Sequence, residues 1–137
     1  MSRATVEPTQ SLKTIVVAED DPSSRELVCE ILEAQGYNVV ETCNGPDALD
    51  KIQELIPDLV LMDIQMPGAG GLTVIQQIRQ DRRLAKLPVV AVTAHAMAGD
   101  RERILSSGFD SYISKPVDAV VLRQQVRDLL LQAGTAV

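Results

Sequence analysis

Residues 14–36, TIVVAEDDPSSRELVCEILEAQG, hold one complete strand-and-helix unit and decide the fold. The run Thr14 to Ala18 is short and rich in β-branched residues, which is typical of a parallel strand covered on both faces. Pro22 directly follows Asp21, as at a helix start where aspartate caps the first turn and proline occupies its first position. The helix is predicted to end at Gly36. Its apolar face is predicted to comprise Leu27, Val28, Ile31 and Leu32.

The same unit recurs along the rest of the chain. Further strands are predicted at Tyr37 to Glu41, Leu59 to Met62, Val89 to Val92 and Ser111 to Ser114. Helices are predicted at Gly45 to Leu55 (with Leu49, Ile52 and Ile56 on one side), around Leu72 to Ile78, at about Met97 to Ser107 and from about Asp118. Strands that alternate with helices over short connections predict an α/β fold, a parallel sheet with helices on both faces.

The chain is predicted to form one domain. It has 137 residues, a length that can bury a hydrophobic core, and no low-complexity linker divides it. We expect a flexible N-terminal arm over residues 1–12, the folded domain over residues 13–133 and a short tail over residues 134–137.

Composition excludes several functional classes. The net charge of −6 disfavours nucleic-acid binding, because such a surface repels a phosphate backbone. Cys29 and Cys43 have no metal-binding or redox spacing and are predicted to be buried free thiols. The sequence lacks both an apolar run long enough to span a bilayer and the apolar core of a signal peptide. These features predict a cytoplasmic protein that does not bind membranes.

Polar residues follow four of the predicted strands at their carboxyl ends, where ligands bind in open sheets of this kind. They are Glu19, Asp20, Asp63, Thr93 and Lys115. Carboxylates that converge at one edge repel one another unless a cation intervenes, and oxygen ligands suit magnesium. Zinc is disfavoured, because neither cysteine nor histidine is placed to bind it.

This set of residues has a definite chemistry. A carboxylate beside magnesium can act as a nucleophile towards a phosphoryl group. Lys115 would supply a second cation, and the Thr93 hydroxyl can donate a hydrogen bond to a phosphoryl oxygen. Together these groups describe an aspartyl-phosphate site.

The chain resembles the receiver domains of two-component response regulators over Lys13 to Leu131. The resemblance is carried by VVAEDD (Val16 to Asp21), LMDIQMPGAGG (Leu61 to Gly71), VVAVTAHA (Val89 to Ala96) and YISKP (Tyr112 to Pro116). It implies a doubly wound, flavodoxin-like (βα)5 fold with five parallel strands in the order 2-1-3-4-5. The stretch from Ala94 to Lys115 is most similar to single-domain, CheY-like regulators and to receivers attached to hybrid histidine kinases.

The resemblance also implies roles for individual residues. Asp63 would accept the phosphoryl group, Thr93 and Tyr112 would act as the switch pair, and Lys115, followed by a cis peptide bond to Pro116, would complete the site. The implied Mg²⁺ ligands, with Mn²⁺ as a substitute ion, are Asp20, Asp63, the main-chain carbonyl of Gln65 and, through water, Glu19.

The implied function is that of a signalling switch rather than an enzyme. The expected phosphodonor is a histidine kinase or a histidine phosphotransfer protein, and the expected reader is a downstream effector protein. The protein is expected to be a monomer that binds neither nucleic acid nor membrane.

Several alternatives stay open at this point. The chain could be an interaction module that works without phosphorylation, or a receiver cut from a hybrid histidine kinase. A phosphohydrolase resembling the haloacid dehalogenase family is disfavoured, because Gln65 stands where that family has a second aspartate. Asp21 is at least as well explained by helix capping as by a role in metal binding. Tyr112 could simply be packed rather than act as a switch, and His95 could be a plain loop residue rather than a residue that tunes dephosphorylation. Ala69-Gly70 departs from the Met-Asp of many relatives, which puts partner contacts of that loop in doubt.

Overall fold

The computed structural model describes residues 12–66, 70–94 and 98–135. Its strands are β1 (Thr14–Ala18), β2 (Asn38–Thr42), β3 (Leu59–Asp63), β4 (Val89–Thr93) and β5 (Ser111–Ser114). Its helices are α1 (Pro22–Ala34), α2 (Gly45–Leu55), α3 (Gly71–Gln80), α4 (Ala98–Ser106) and α5 (Ala119–Thr135). Strands and helices alternate throughout, as the sequence predicts.

All neighbouring strands pair in parallel, in the order β2-β1-β3-β4-β5. This confirms the predicted α/β fold and strand order. The interior strands β3 and β4 are buried along their whole length. Because every strand runs in the same direction, their carboxyl ends, and the residues that follow, lie along one edge of the sheet.

Successive residues of each strand point to opposite faces of the sheet and pack into two separate hydrophobic cores. On one face, Ile15 and Leu61 pack with residues of α1 and α5 such as Leu32 and Val126. On the other face, Val16 and Met62 pack with residues of α2, α3 and α4. Helices therefore cover both faces of the sheet, as predicted.

The ends of α1 are fixed by local hydrogen bonds. The Asp21 carboxylate accepts a hydrogen bond of 2.9 Å from the Ser24 amide, which confirms the predicted cap. At the other end Gly36 has a φ of 94°, and the Tyr37 amide donates to the Leu32 carbonyl at 3.3 Å. This end motif uses the Tyr37 amide, so β2 spans Asn38–Thr42, one residue later than the predicted strand.

Three predictions about apolar residues are wrong. Ile56 does not extend the buried stripe of α2: it is the C-terminal cap, with a φ of 46°, and is 41% exposed. The following Pro57 explains this end, since a residue before proline avoids the helical region. Leu27 is exposed, whereas Val28 and Leu32 of the same predicted face are buried. Cys43 is exposed in the connection after the edge strand β2, whereas Cys29 is buried as predicted.

The last helix extends beyond the predicted limit of the folded domain. Helix α5 continues to Thr135, through the first two residues of the predicted tail. Residues 1–11 and 136–137 lie outside the described residues. Among the helices that the structure describes, none is both long and apolar enough to cross a membrane.

Candidate functional site

The edge formed by the carboxyl ends of the strands brings together the polar residues selected from the sequence. Asp63 and Thr93 are the last residues of β3 and β4, and both are buried. Glu19 directly follows β1, and Lys115 directly follows β5. The parallel topology alone places these residues at one edge.

The Lys115 ammonium group is the centre of the cluster. Its Nζ lies 3.0 Å from Asp63 Oδ2 and 3.0 Å from Glu19 Oε1. The Glu19 and Asp63 side chains are each 4% exposed, and that of Lys115 is 21% exposed. Burial disfavours the charged lysine, but its hydrogen bonds to Glu19 and Asp63 outweigh this effect and raise the pKa of Lys115 above its usual value.

Glu19 occupies a different electrostatic environment. Burial and a hydrogen bond with Asp63 raise the pKa of Glu19 to about 7, against the opposing influence of Lys115. Its Oε2 also accepts a hydrogen bond of 3.1 Å from the Asp21 amide. One lysine therefore does not neutralise this buried pair of carboxylates completely, and the site favours a further positive charge.

Carboxylate oxygens of Glu19, Asp20 and Asp63 lie within 4.8 Å of one another. Asp20 is exposed, whereas the other two are buried. Hard divalent cations such as Mg²⁺ prefer oxygen ligands of this kind and retain several waters, which an exposed flank permits. The donor set therefore fits a magnesium ion.

The main chain holds the Asp63 carboxylate in place. Its Oδ1 accepts a hydrogen bond of 2.9 Å from the Gln65 amide. Behind it the first residue of α3, Gly71, packs so closely that a Cβ there would lie 2.9 Å from Ile64 Cα and 3.0 Å from the Asp63 carbonyl oxygen. The start of α3 thus rests directly on the main chain that carries Asp63.

The two residues predicted as a switch pair lie on neighbouring strands. Thr93 is 2% exposed, and its carbonyl accepts a hydrogen bond of 2.8 Å from the Lys115 amide. Tyr112 lies in the middle of β5, partly buried, with the Arg101 guanidinium of α4 6.0 Å from its ring centroid. The Lys115–Pro116 peptide bond is cis.

His95, Ala69 and Met97, the predicted start of the fourth helix, lie outside the described residues. Gly70 is described and caps α3 without a side-chain hydrogen bond.

Arg25 was not among the residues predicted for the site. Its Nη1 donates a hydrogen bond of 2.9 Å to the main-chain carbonyl of Glu19. A main-chain acceptor leaves no trace in the sequence. The available signal was position alone, since Arg25 lies one helical turn after the capping Asp21.

Comparison with known proteins agrees with this geometry. A family model described as the response regulator receiver domain matches residues 15–127. The polar-differentiation response regulator DivK from Brucella anthropi is 42% identical over 118 residues, which cover 86% of this chain and 96% of that protein. A CheY-like receiver domain protein from Methanospirillum hungatei is 29% identical with a TM-score of 0.81, covering 89% of this chain and 96% of that one.

A second similar structure is the receiver domain of a sensor histidine kinase from Pseudomonas aeruginosa. It is 28% identical with a TM-score of 0.81, covering 88% of this chain and 98% of that one, and it has a magnesium ion coordinated in its active-site cleft. The sequence motifs, the strand order and these matches agree, and the chain belongs to the response regulator receiver domain family.

Proposed function

We propose that this chain is a stand-alone response regulator that accepts a phosphoryl group on Asp63 from a phosphohistidine of a histidine kinase or a phosphotransfer protein. The observation that carries the proposal is the Lys115 ammonium 3.0 Å from Asp63, beside the carboxylates of Glu19 and Asp20. The match along 96% of the DivK relative supports a single-domain regulator.

The transfer needs little chemistry beyond positioning and charge. An Asp63 carboxylate oxygen attacks the phosphorus, and the bond from phosphorus to the donor histidine breaks. The electron pair of that bond returns to the imidazole, and an acyl phosphate forms on Asp63. Lys115 stabilises the negative charge of the phosphoryl oxygens, because its ammonium already contacts the acceptor carboxylate.

Mg²⁺, or Mn²⁺ in its place, is the proposed cofactor. Asp20 and Asp63 would hold it directly, with the Gln65 carbonyl, and Glu19 would contribute through water. A bound divalent cation supplies charge neutralisation to the phosphoryl oxygens. The related receiver domain from Pseudomonas aeruginosa, with magnesium in its cleft, supports this assignment.

Phosphorylation is proposed to change the surface formed by α4, β5 and α5. The modification adds roughly one unit of negative charge and three acceptor oxygens. New hydrogen bonds from Thr93 and Lys115, at about 1.5–3 kcal/mol each before ordering costs, would contribute about 3–4 kcal/mol. That shifts a two-state ratio by roughly 10²–10³. Thr93 would move towards the phosphoryl group and Tyr112 into the space released.

An effector protein would read the changed surface. We propose that the receiver acts as a cytoplasmic monomer. Its net charge of −6 disfavours nucleic acid as the partner.

The test is the intact mass of the protein after incubation with acetyl phosphate, with and without Mg²⁺, beside Asp63→Asn. We expect a gain of one phosphoryl group that requires Mg²⁺ and is absent in the variant. No gain, in an assay where another receiver is phosphorylated, would favour an interaction module that works without phosphorylation.

A further inference from the structure

Arg25 links the acidic turn to the sheet. Its Nη1 donates to the Glu19 carbonyl at 2.9 Å, while its Nε lies 3.4 Å from Glu41 Oε1. We propose that Arg25 is a positioning residue that fixes the turn carrying Asp20 and thereby sets the affinity of the site for a divalent cation. This inference rests on the magnesium site of the proposed function.

Asp20 is exposed, so packing does not hold its side chain, and its position depends on the main chain of the turn. The residues on both sides are anchored: the Glu19 amide donates to the Thr42 carbonyl at 3.1 Å, and Asp21 caps α1. The remaining main-chain group of Glu19, its carbonyl, is the one that Arg25 binds. The contact therefore fixes the peptide plane from which Asp20 extends.

Glu41 holds the other side of the guanidinium. It lies on β2, directly opposite Val17 of β1 in the parallel register. A guanidinium is a planar fork that can bind two acceptors at once, so contacts to Glu19 and Glu41 together fix its plane. The Arg25 side chain is 23% exposed, which limits its freedom further.

Positioning and simple electrostatics predict opposite effects of removing Arg25. A guanidinium near a cation site repels the cation, so its loss would strengthen metal binding if charge alone mattered. If Arg25 instead holds a ligand in place, its loss weakens binding, as removal of groups that orient metal ligands typically does by about 10–100-fold. The sign of the change separates the two explanations.

The experiment measures Mn²⁺ binding by electron paramagnetic resonance and Mg²⁺ binding by calorimetry on the full chain. We expect Arg25→Gln to weaken binding of both ions by about tenfold. Arg25→Lys keeps the charge but lacks the planar guanidinium fork that spans the two acceptors in a fixed orientation, so it should fall between wild type and Arg25→Gln. Arg82→Gln, which removes an exposed arginine far from this edge, is the matched control and should bind as wild type does.

Phosphorylation by acetyl phosphate supplies a second readout. In Arg25→Gln the half-saturating Mg²⁺ concentration should rise about tenfold, while the rate at saturating Mg²⁺ stays close to that of wild type. General damage to the fold would instead lower the saturated rate and the unfolding midpoint. If Arg25→Gln does not fold, Arg25→Lys separates the two explanations. Charge alone predicts that its affinity for the divalent cation is unchanged, whereas positioning predicts weaker binding.

The outcomes separate this inference from the proposed function. Unchanged or tighter binding in Arg25→Gln, with wild type binding both ions, would overturn the role of Arg25 and leave the magnesium site intact. Failure of wild type to bind either ion would overturn both.

Discussion

Replacing Lys115 by methionine should destabilise the protein at neutral pH in the absence of divalent cations. The substitution keeps the length of the side chain and removes the cation that lies 3.0 Å from both Glu19 and Asp63. These carboxylates are buried, so without the lysine each must either remain as an unpaired charge or take up a proton. Breaking a fully buried pair in this way costs about 3–5 kcal/mol.

The expected loss for this site is smaller, because Lys115 is 21% exposed and water screens part of the interaction. We expect about 2–3 kcal/mol, a substantial share of the 5–15 kcal/mol that is typical of domain stability. The measurement is urea unfolding followed by circular dichroism. Lys86→Met, which removes an exposed lysine on the connection before β4, is the matched control.

The pH dependence adds a second check. Glu19 has a raised pKa, about 7 against an ordinary 4.5, so its ionisation costs stability as the pH rises through 7. Without Lys115 this pKa rises further, and Glu19 in the folded variant takes up a proton. The stability difference between variant and wild type should therefore be greatest above pH 7 and shrink towards pH 5. A variant as stable as wild type at pH 8 would refute the reasoning.

The remaining predictions concern the switch, the packing beneath the acceptor and the thiols. Thr93→Ala should still gain a phosphoryl group. It should lose most of the change that phosphorylation causes in the amide NMR signals of β5 and α5, because no hydroxyl remains to hydrogen-bond the phosphoryl group and move the end of β4. Gly71→Ala should lower the unfolding free energy by about 1–3 kcal/mol, because its Cβ would lie 2.9 Å from Ile64 Cα. Burial, followed by nearby glutamates, raises the pKa of Cys29 to about 12 from 9, so it stays a protonated thiol at pH 8. Cys43 alone should therefore react with a thiol reagent in the native protein, and both cysteines should react after unfolding.

Each of these has a clear contrary result. If the Thr93→Ala variant showed the same NMR response to phosphorylation as wild type, the switch mechanism would be contradicted. An alanine variant at the start of α3 with wild-type stability would show that the helix can shift without cost. Equal labelling of both thiols in the native state would contradict the burial of Cys29.

The sequence predicts the fold well because parallel strands have a simple signature. Runs such as Thr14 to Ala18 are apolar on both faces, and caps such as Asp21 and Gly36 mark where helices begin and end. Two of the errors arose where the main chain, and not the pattern of side chains, determines where an element begins or ends. The Tyr37 amide closes α1 and delays β2, and Ile56 leaves the helix before a proline.

The side chains of the site can be predicted from the sequence, but its main-chain contacts cannot. Once the sheet is parallel, the polar residues after the strands must meet at one edge, so Glu19, Asp63 and Lys115 follow from topology. The contact of Arg25 with the Glu19 carbonyl does not, because a main-chain acceptor is the same at every residue. Nor does the sequence reveal how closely Gly71 approaches the chain behind Asp63.

The site joins residues that are far apart in the chain: Lys115 lies 96 positions after Glu19 and 52 positions after Asp63. Lys115 reaches them from β5, an edge strand that pairs only with β4 in the sheet. Local opening of that edge would withdraw the lysine without unfolding the rest. Occupation of the site by a phosphoryl analogue should therefore slow amide hydrogen exchange in β5 more than in β1, which ties the lifetime of the signal to the closure of one sheet edge.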